Sequence, residues 1–129
     1  LSRIAAHIPR GAGFFLEVGA HHPEAMSNSL LLERTAGWDG LCVDPFPRGD
    51  WSARRAQLVR AAVGPDGEWQ PFFRPGGMWG GLLSSLDSKD QEQIWKVLRE
   101  PNLTVVDVKT WSLASIFGLV QSRGRAVPR

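Results

Sequence analysis

The first half of the chain alternates between apolar runs and short polar turns. An apolar run over Phe14–Val18 ends at a glycine, and a second apolar run, Leu41–Asp44, follows a leucine-rich stretch. Runs of this length that are apolar almost throughout are typical of strands buried on both faces of a parallel sheet. The stretch 29–36 between them predicts a helix, which Gly37 ends. The pattern therefore predicts a βαβ crossover unit of about 30 residues.

The second half of the chain predicts a further strand, a returning strand and several later elements. Gln57–Val63 predicts a third strand, and the turn sequence GPDG follows it. Glu68–Arg74 predicts a returning strand, so that the pair forms a hairpin-like appendage, and Pro71 places it at a sheet edge because proline cannot donate to the ladder. The later predictions are a glycine-rich loop at 76–81, a helix opened by a capping box at 88–91, a strand at 103–110 and a helix that Ser112 caps and Gly118 ends.

Composition and charge narrow the class of protein. The 129 residues fit one α/β domain, and 43% hydrophobic with 22% charged residues is typical of a globular chain. A net charge of +2 gives no indication of a nucleic-acid partner, and no apolar run approaches the roughly 20 residues of a membrane span. Cys42 is the only cysteine, so no intrachain disulfide can form, and we expect a cytoplasmic protein. No signal peptide is visible, although the chain begins at Leu1 and not at Met.

Two acidic residues and a glycine mark the carboxyl ends of the first two predicted strands. Glu17 and Gly19 end the first strand, and Asp44 ends the second. Ligands of open α/β sheets bind at this edge, where a glycine lets the ligand approach the backbone and a carboxylate can accept both ribose hydroxyls. The pattern therefore predicts a nucleoside-cofactor site. Two interpretations stay open for each acid: Glu17 either caps local structure or meets the ligand, and Asp44 either holds the ribose or caps a turn.

Other reactive side chains in the sequence are weaker candidates. His21 and His22 are adjacent, so their side chains diverge, and no Cys or His partner stands at ligand spacing elsewhere. We therefore expect no metal site. Cys42 lies inside an apolar strand, where a buried and unreactive thiol is expected.

The stretch GFFLEVGAHHPEAMSNSLLLERTAGWDGLCVDPFP resembles the opening of the FkbM-type S-adenosylmethionine-dependent methyltransferases. The resemblance is carried by an acidic-x-Gly-Ala turn, a Ser-Asn-Ser segment, a leucine-rich helix, a Gly-Trp-x-Gly turn and a strand that ends in acidic-Pro. Three later segments, RAAVGPDGEWQPFF, GGLLSSL and VVDVKTWSLASIF, are also similar to parts of the family. The resemblance spans roughly residues 13–118.

This resemblance implies a fold, a cofactor and a set of site residues. The fold would be the Rossmann-like class I methyltransferase fold, here with a partial parallel sheet and flanking helices. The reaction would transfer a methyl group from S-adenosyl-L-methionine to a hydroxyl of a small molecule or a glycan, with His21 or His22 as a candidate base and no catalytic residue assigned. The implied cofactor site has Glu17, Gly19 and Ala20 at the methionine end, Asp44 at the ribose and Ala62 near the adenine, with His21, Ser27, Asn28 and Pro45 close by.

The sequence departs from the family pattern in two places, and these departures keep other functions open. His22-Pro23 stands where the family has an acidic-Gly pair, so the turn over the cofactor has another shape. The chain also stops before the family's Asp-x-Glu-Gly strand, so we expect either a fragment of a longer protein or a truncated homologue. The alternative function is an inactive methyltransferase-like domain that binds a partner, with a homodimer through the exposed sheet edge. A third interpretation, a nicotinamide-dependent oxidoreductase, fits Asp44 but has one glycine where the fingerprint needs three.

Overall fold

The protein is an α/β chain that contains parallel strands. It is seen in a computed structural model that describes residues 10–11, 13–74, 81–82, 92, 96, 99 and 102–124. These residues contain one three-stranded and one four-stranded sheet. None of the helices among them is both long and apolar enough to span a bilayer. The predicted glycine-rich loop at 76–81 lies outside the described residues except for Gly81, which begins a strand, and the predicted capping box at 88–91 lies outside them entirely.

The first sheet contains the predicted βαβ unit. β1 (Phe14–Val18), α1 (Leu30–Ala36) and β2 (Asp39–Val43) follow one another, and β3 (Gln57–Val59) completes the sheet in the order β1-β2-β3. Both neighbouring pairs of strands are parallel. Gly37 ends α1 with a left-handed φ of 70°, as the sequence predicts. The unit therefore forms where the apolar runs and the glycine place it.

The second sheet differs from the hairpin that the sequence predicts. It consists of β4 (Ala62–Val63), β5 (Trp69–Arg74), β6 (Gly81–Leu82) and β7 (Thr104–Trp111), in the spatial order β4-β7-β5-β6. The predicted third strand is divided, because its first part joins β2 and its last part joins β7. β5 pairs antiparallel with β7 along its length and with β6 on its other side. The hairpin-like appendage and the edge position of Pro71 are therefore wrong, since long-range pairing with β7 replaces pairing with the preceding strand.

A hydrophobic core joins α2 (Leu113–Ser122) to the first sheet. Ser112 caps this helix, as predicted, because its hydroxyl accepts from the Ser115 N–H. The helix continues past Gly118, where the sequence predicts its end, since Val120 in the following turn is part of the core. The buried members of this core are Leu41, Val43, Val59, Ala61, Ile116 and Val120.

A second core lies on the other face of the first sheet, because successive residues of a strand point to opposite faces. The buried residues of α1 are Glu33 and Ala36. A buried acid is costly unless it is paired, so Glu33 requires a partner inside this face. The core consists of Phe15, Ala20, Cys42 and Ala56, with the partly buried Leu32, Trp38, Trp51 and Leu58 packed against it.

Candidate functional site

The carboxyl ends of β1 and β2 lie side by side, as the sequence predicts. Val18 is opposite Val43 in the parallel register. The N–H groups of Gly19 and Ala20 both donate to the Val43 carbonyl, at 2.8 and 3.2 Å. Gly19 has a left-handed φ of 77°, and a Cβ added there would meet nothing within 4 Å. Gly19 therefore borders open space directly beside the end of β2.

Asp44 follows β2 and is buried, and its carboxylate accepts hydrogen bonds from two turns. Oδ2 accepts from the His21 N–H at 3.0 Å, and Oδ1 accepts from the Phe46 N–H at 2.7 Å. His21 has a positive φ of 57°, which is uncommon for a residue with a side chain. A carboxylate offers about four lone-pair sites. Asp44 thus caps both turns and retains acceptor capacity for a ligand hydroxyl.

Glu17 is buried, and its carboxylate binds the segment that leads into α1. Oε1 accepts from the Asn28 N–H at 2.9 Å. Oε2 accepts from the Ser29 hydroxyl and, at 3.4 Å, from the Ser27 hydroxyl. All three donors precede Leu30, the first helical residue, where free N–H groups and the helix dipole favour an anion. These contacts are the ones that the structural interpretation of Glu17 predicts.

A buried arginine connects this cluster to α1. The Arg54 side chain is 1% exposed, and its Nε donates to Oε2 of Glu33 at 2.8 Å. Its Nη atoms donate to the Pro23 carbonyl at 2.6 Å and to the Ser29 hydroxyl at 2.9 Å. Ser29 in turn donates to Glu17. Two acids and one base are therefore joined in one buried network, and Ser29, the N-cap residue of α1, uses its hydroxyl in this network and makes no side-chain capping bond.

Cys42 lies against the same network. Its Sγ is 3.8 Å from the Ser29 Oγ and 3.9 Å from Nη2 of Arg54. Burial raises the pKa of the thiol to about 11, although the hydrogen bond from Ser29 and the charge of Arg54 oppose this rise. The complete burial of Cys42 confirms the prediction of a buried cysteine. With this raised pKa we expect the thiol to be neutral near physiological pH.

The two adjacent histidines have different surroundings. Nδ1 of His22 accepts from the N–H groups of Glu24 and Ala25, at 3.1 and 2.9 Å. Its imidazole proton must then be on Nε2, so Nδ1 cannot accept a proton from a substrate while these bonds hold. His21 is half-buried and directly follows Ala20 at the strand end. In the part of the chain that the structure describes, no group of three or more His, Cys, Asp or Glu side chains could hold a metal ion.

The loop after β2 is fixed on two sides. The Arg48 N–H donates to the His21 carbonyl at 2.6 Å, which joins this loop to the loop after β1. The ring of Phe46 packs on Phe72 of β5 with centroids 5.4 Å apart, and Cζ of Arg74 lies 4.0 Å from the Phe46 centroid. The second sheet therefore forms one border of the region around Asp44.

The predicted site residues form two groups and one separate position. Ala62 stands apart in β4, opposite Thr110 of the second sheet, and Pro45 is half-buried after Asp44. One group meets at the strand ends and the other at the entrance of α1. The members of the first are Gly19, Ala20, His21, Asp44 and the adjoining Pro45, and those of the second are Glu17, Ser27 and Asn28.

The sequence did not indicate Arg54 or Glu33. Arg54 and Arg55 are adjacent and chemically identical, and only burial separates them: Arg55 is exposed and donates to the carbonyls of Gly37 and Trp38. The available signal was Glu33, an acid in the leucine-rich helical stretch. An acid on a core-facing helix position requires a cation or several donors.

Comparison with known proteins gives no relative for this chain. No family model, no curated protein and no solved structure matched the chain. The structure shows an α/β chain with a parallel sheet, in which polar residues gather at the carboxyl ends of the first two strands.

Proposed function

We propose that this domain binds S-adenosyl-L-methionine at the carboxyl ends of β1 and β2, as part of an FkbM-type methyltransferase with a Rossmann-like class I fold. The acceptor would be a hydroxyl of a small molecule or a glycan. The observation that carries the proposal is the open space at Gly19, which lies next to Asp44. Both residues follow parallel strands that end opposite each other, at Val18 and Val43. Nucleoside ligands of α/β sheets occupy this position. The motif resemblance of residues 13–47 supports the same cofactor.

The charge at the entrance of α1 favours this cofactor over a dinucleotide. In dinucleotide-binding domains the pyrophosphate sits at the N-terminus of the helix after the first strand. Here the carboxylate of Glu17 already accepts the Asn28 N–H at that place. Glu17, Glu33 and Asp44 contribute three buried carboxylates to the two strand ends and the helix entrance, whereas Arg54 is the buried arginine among the residues that the structure describes. Such surroundings repel a pyrophosphate and favour a ligand that carries a sulfonium cation.

In the proposed reaction the main task of the protein is to position the acceptor hydroxyl and the methyl group. The methyl group is already activated by the sulfonium, so the domain must hold the acceptor hydroxyl in line with it. In this proposal Asp44 accepts the ribose hydroxyls with its remaining lone pairs, and Glu17 shapes the adjoining loop without touching the cofactor. His21 is the better candidate base of the two histidines, because Nδ1 of His22 is occupied.

The test compares two glycines that have the same backbone conformation. Gly19 and Gly37 have φ values of 77° and 70°, and a Cβ at either would meet nothing within 4 Å. Alanine at either position therefore costs about 1–2 kcal/mol of backbone strain. Isothermal titration calorimetry with S-adenosylmethionine and with its demethylated product would then compare wild type, Gly19→Ala and Gly37→Ala. We expect binding by wild type and Gly37→Ala and a loss of about tenfold or more for Gly19→Ala, a difference that strain alone does not produce.

Two results would contradict the proposal. One is the absence of any heat or thermal shift for wild type with millimolar cofactor. The other is equal affinity of the two glycine variants, because the methyl group at position 19 would then not lie near the ligand. Binding of NAD without binding of S-adenosylmethionine would instead support the oxidoreductase interpretation.

A second candidate function, a non-catalytic interaction domain, is supported by the edge of the first sheet. Among the described residues β1 pairs with β2 alone, and its Leu16 and Val18 are 39% and 54% exposed. Their register partners, Leu41 and Val43, are fully buried. An open, apolar strand edge favours pairing with another chain. A defined dimer in light scattering, together with no cofactor binding, would favour this function over the methyltransferase.

A further inference from the structure

We propose that Arg54 is the positioning residue of the candidate cofactor site: its guanidinium fixes the shape of the loop between β1 and α1. The inference rests on the proposed function for what the loop contacts, but its structural part can be tested without a ligand. Residues 19–29 make up this loop, here called the β1–α1 loop. It begins at the open space beside Gly19 and ends at the entrance of α1.

The β1–α1 loop is held at several places, and Arg54 provides the contact at Pro23, beyond those that Asp44 and Arg48 make with the His21 backbone. At its start, the Gly19 and Ala20 N–H groups donate to Val43, and at its end the Asn28 N–H donates to Glu17. Between these points Arg54 donates to the Pro23 carbonyl at 2.6 Å. The bond joins residues that are 31 positions apart along the chain, so it ties the loop to the segment after β2.

Arg54 also acts on the end of the loop through Ser29. Its Nη2 donates to the Ser29 hydroxyl, which leaves the hydroxyl proton free to point at Glu17. Its Nη1 lies 3.3 Å from the Ser27 hydroxyl, the other hydroxyl that Glu17 accepts. The planar, forked guanidinium can serve these acceptors together with Glu33, whereas the point charge of a lysine cannot.

A purely structural role for Arg54 makes a different prediction. Glu33 is buried and its other oxygen accepts from the Ala56 N–H at 2.6 Å, so an arginine is needed there simply to balance a buried charge. If charge balance were its whole role, removing both charges would restore the protein, because buried ion pairs are often replaced without loss of stability. If Arg54 positions the loop, removing both charges restores the stability of the protein but does not restore the conformation of the β1–α1 loop.

The experiment therefore measures stability, loop protection and affinity separately. The variants are Arg54→Met, the double variant Arg54→Met with Glu33→Gln, Arg54→Lys, and Arg55→Met as the control with an exposed neighbouring arginine. The readouts are the melting temperature, hydrogen exchange of the Asn28 amide, and the dissociation constant of S-adenosylmethionine. We expect Arg54→Met to lower the melting temperature by about 10 °C. The double variant should regain most of that loss, yet its Asn28 amide should exchange at least about tenfold faster than wild type and its affinity should stay at least about tenfold weaker.

The remaining variants keep the inference falsifiable if Arg54→Met does not fold. Arg54→Lys retains the charge beside Glu33 but loses the forked bonds to Pro23 and Ser29, so we expect a higher melting temperature than for Arg54→Met, with fast exchange at Asn28 and weakened binding. Arg55→Met should leave exchange and affinity unchanged. Recovery of exchange protection and affinity together with stability in the double variant would overturn the positioning role. If wild type binds no cofactor, the proposed function fails, while the exchange of Asn28 still decides whether Arg54 holds the loop.

Discussion

Replacing Glu17 by alanine or glutamine measures how strongly the fold depends on its buried carboxylate. Glu17→Ala removes the acceptor of the Asn28 N–H and of two hydroxyls, those of Ser27 and Ser29. Glu17→Gln keeps one acceptor oxygen but turns an amide group toward Ser29, which already accepts from Arg54. The Ser29 hydroxyl proton then loses its acceptor. Both variants are therefore destabilised, and alanine more than glutamine.

The magnitude follows from the bonds that are lost. A hydrogen bond to a charged group contributes about 1.5–3 kcal/mol, and a buried donor left without a partner costs about 1–3 kcal/mol. The Ser27 bond is long, at 3.4 Å, so the Asn28 and Ser29 bonds dominate. Relief from burying a carboxylate offsets part of the loss. We expect about 3 kcal/mol for Glu17→Ala and about 1–2 kcal/mol for Glu17→Gln.

Urea denaturation followed by tryptophan fluorescence measures these differences. With a slope of about 2 kcal/mol per M, Glu17→Ala should lower the midpoint by about 1.5 M. Glu24→Gln is the matched control, because Glu24 forms an exposed ion pair with Arg34 at 3.2 Å and such pairs contribute about 0–1 kcal/mol. Midpoints of both Glu17 variants within error of the control would refute the structural role.

Two further predictions concern single titrating groups. Hydrogen bonds from the Ser112 N–H and from the hydroxyls of Ser112 and Ser115 lower the pKa of Asp66 from its ordinary value of 3.8. The resulting stability is fully present above that value and is lost as pH falls toward the lowered native pKa. Asp66→Asn should therefore be less stable than wild type at pH 7, and the difference between their urea midpoints should close below about pH 4. A difference that is unchanged down to about pH 2 would exclude this linkage. Burial raises the pKa of Cys42 to about 11. A disulfide reagent at pH 8 should therefore label the native thiol at least about 100-fold more slowly than the urea-unfolded thiol. Comparable labelling rates would show that the native thiol is accessible.

The elements that sequence patterns predicted correctly have local causes. β1 and β2 are apolar runs bounded by glycines and an aspartate, and Gly37 alone can take the left-handed turn that ends α1 without strain. Ser112 was also identifiable, because its hydroxyl bonds an N–H three residues later. Each of these features depends on neighbours within a few positions, so the sequence contains the information directly.

The features that were missed depend on residues far apart in the chain. β5 could pair with the preceding strand or with β7, and nothing in its alternation of side chains selects β7, whose residues 104–111 come 30 or more positions later. Gly118 is a poor helix residue, yet the packing of Ile116 and Val120 continues the helix through it. Arg54 cannot be separated from Arg55 until the fold shows which one faces Glu33.

The buried charges have a role here that apolar packing could not fill. Between β1 and α1 the buried residues of the loop are Ala20, Pro23 and Ser29, which offer little apolar area to fix its course. Hydrogen bonds from a buried guanidinium and to a buried carboxylate are directional, and they define the path of the backbone where hydrophobic burial does not. Ion pairs of this kind add little net stability compared with apolar side chains of similar size. The presence of these buried charges at the β1–α1 loop is therefore better explained by a requirement for one loop shape than by a requirement for stability.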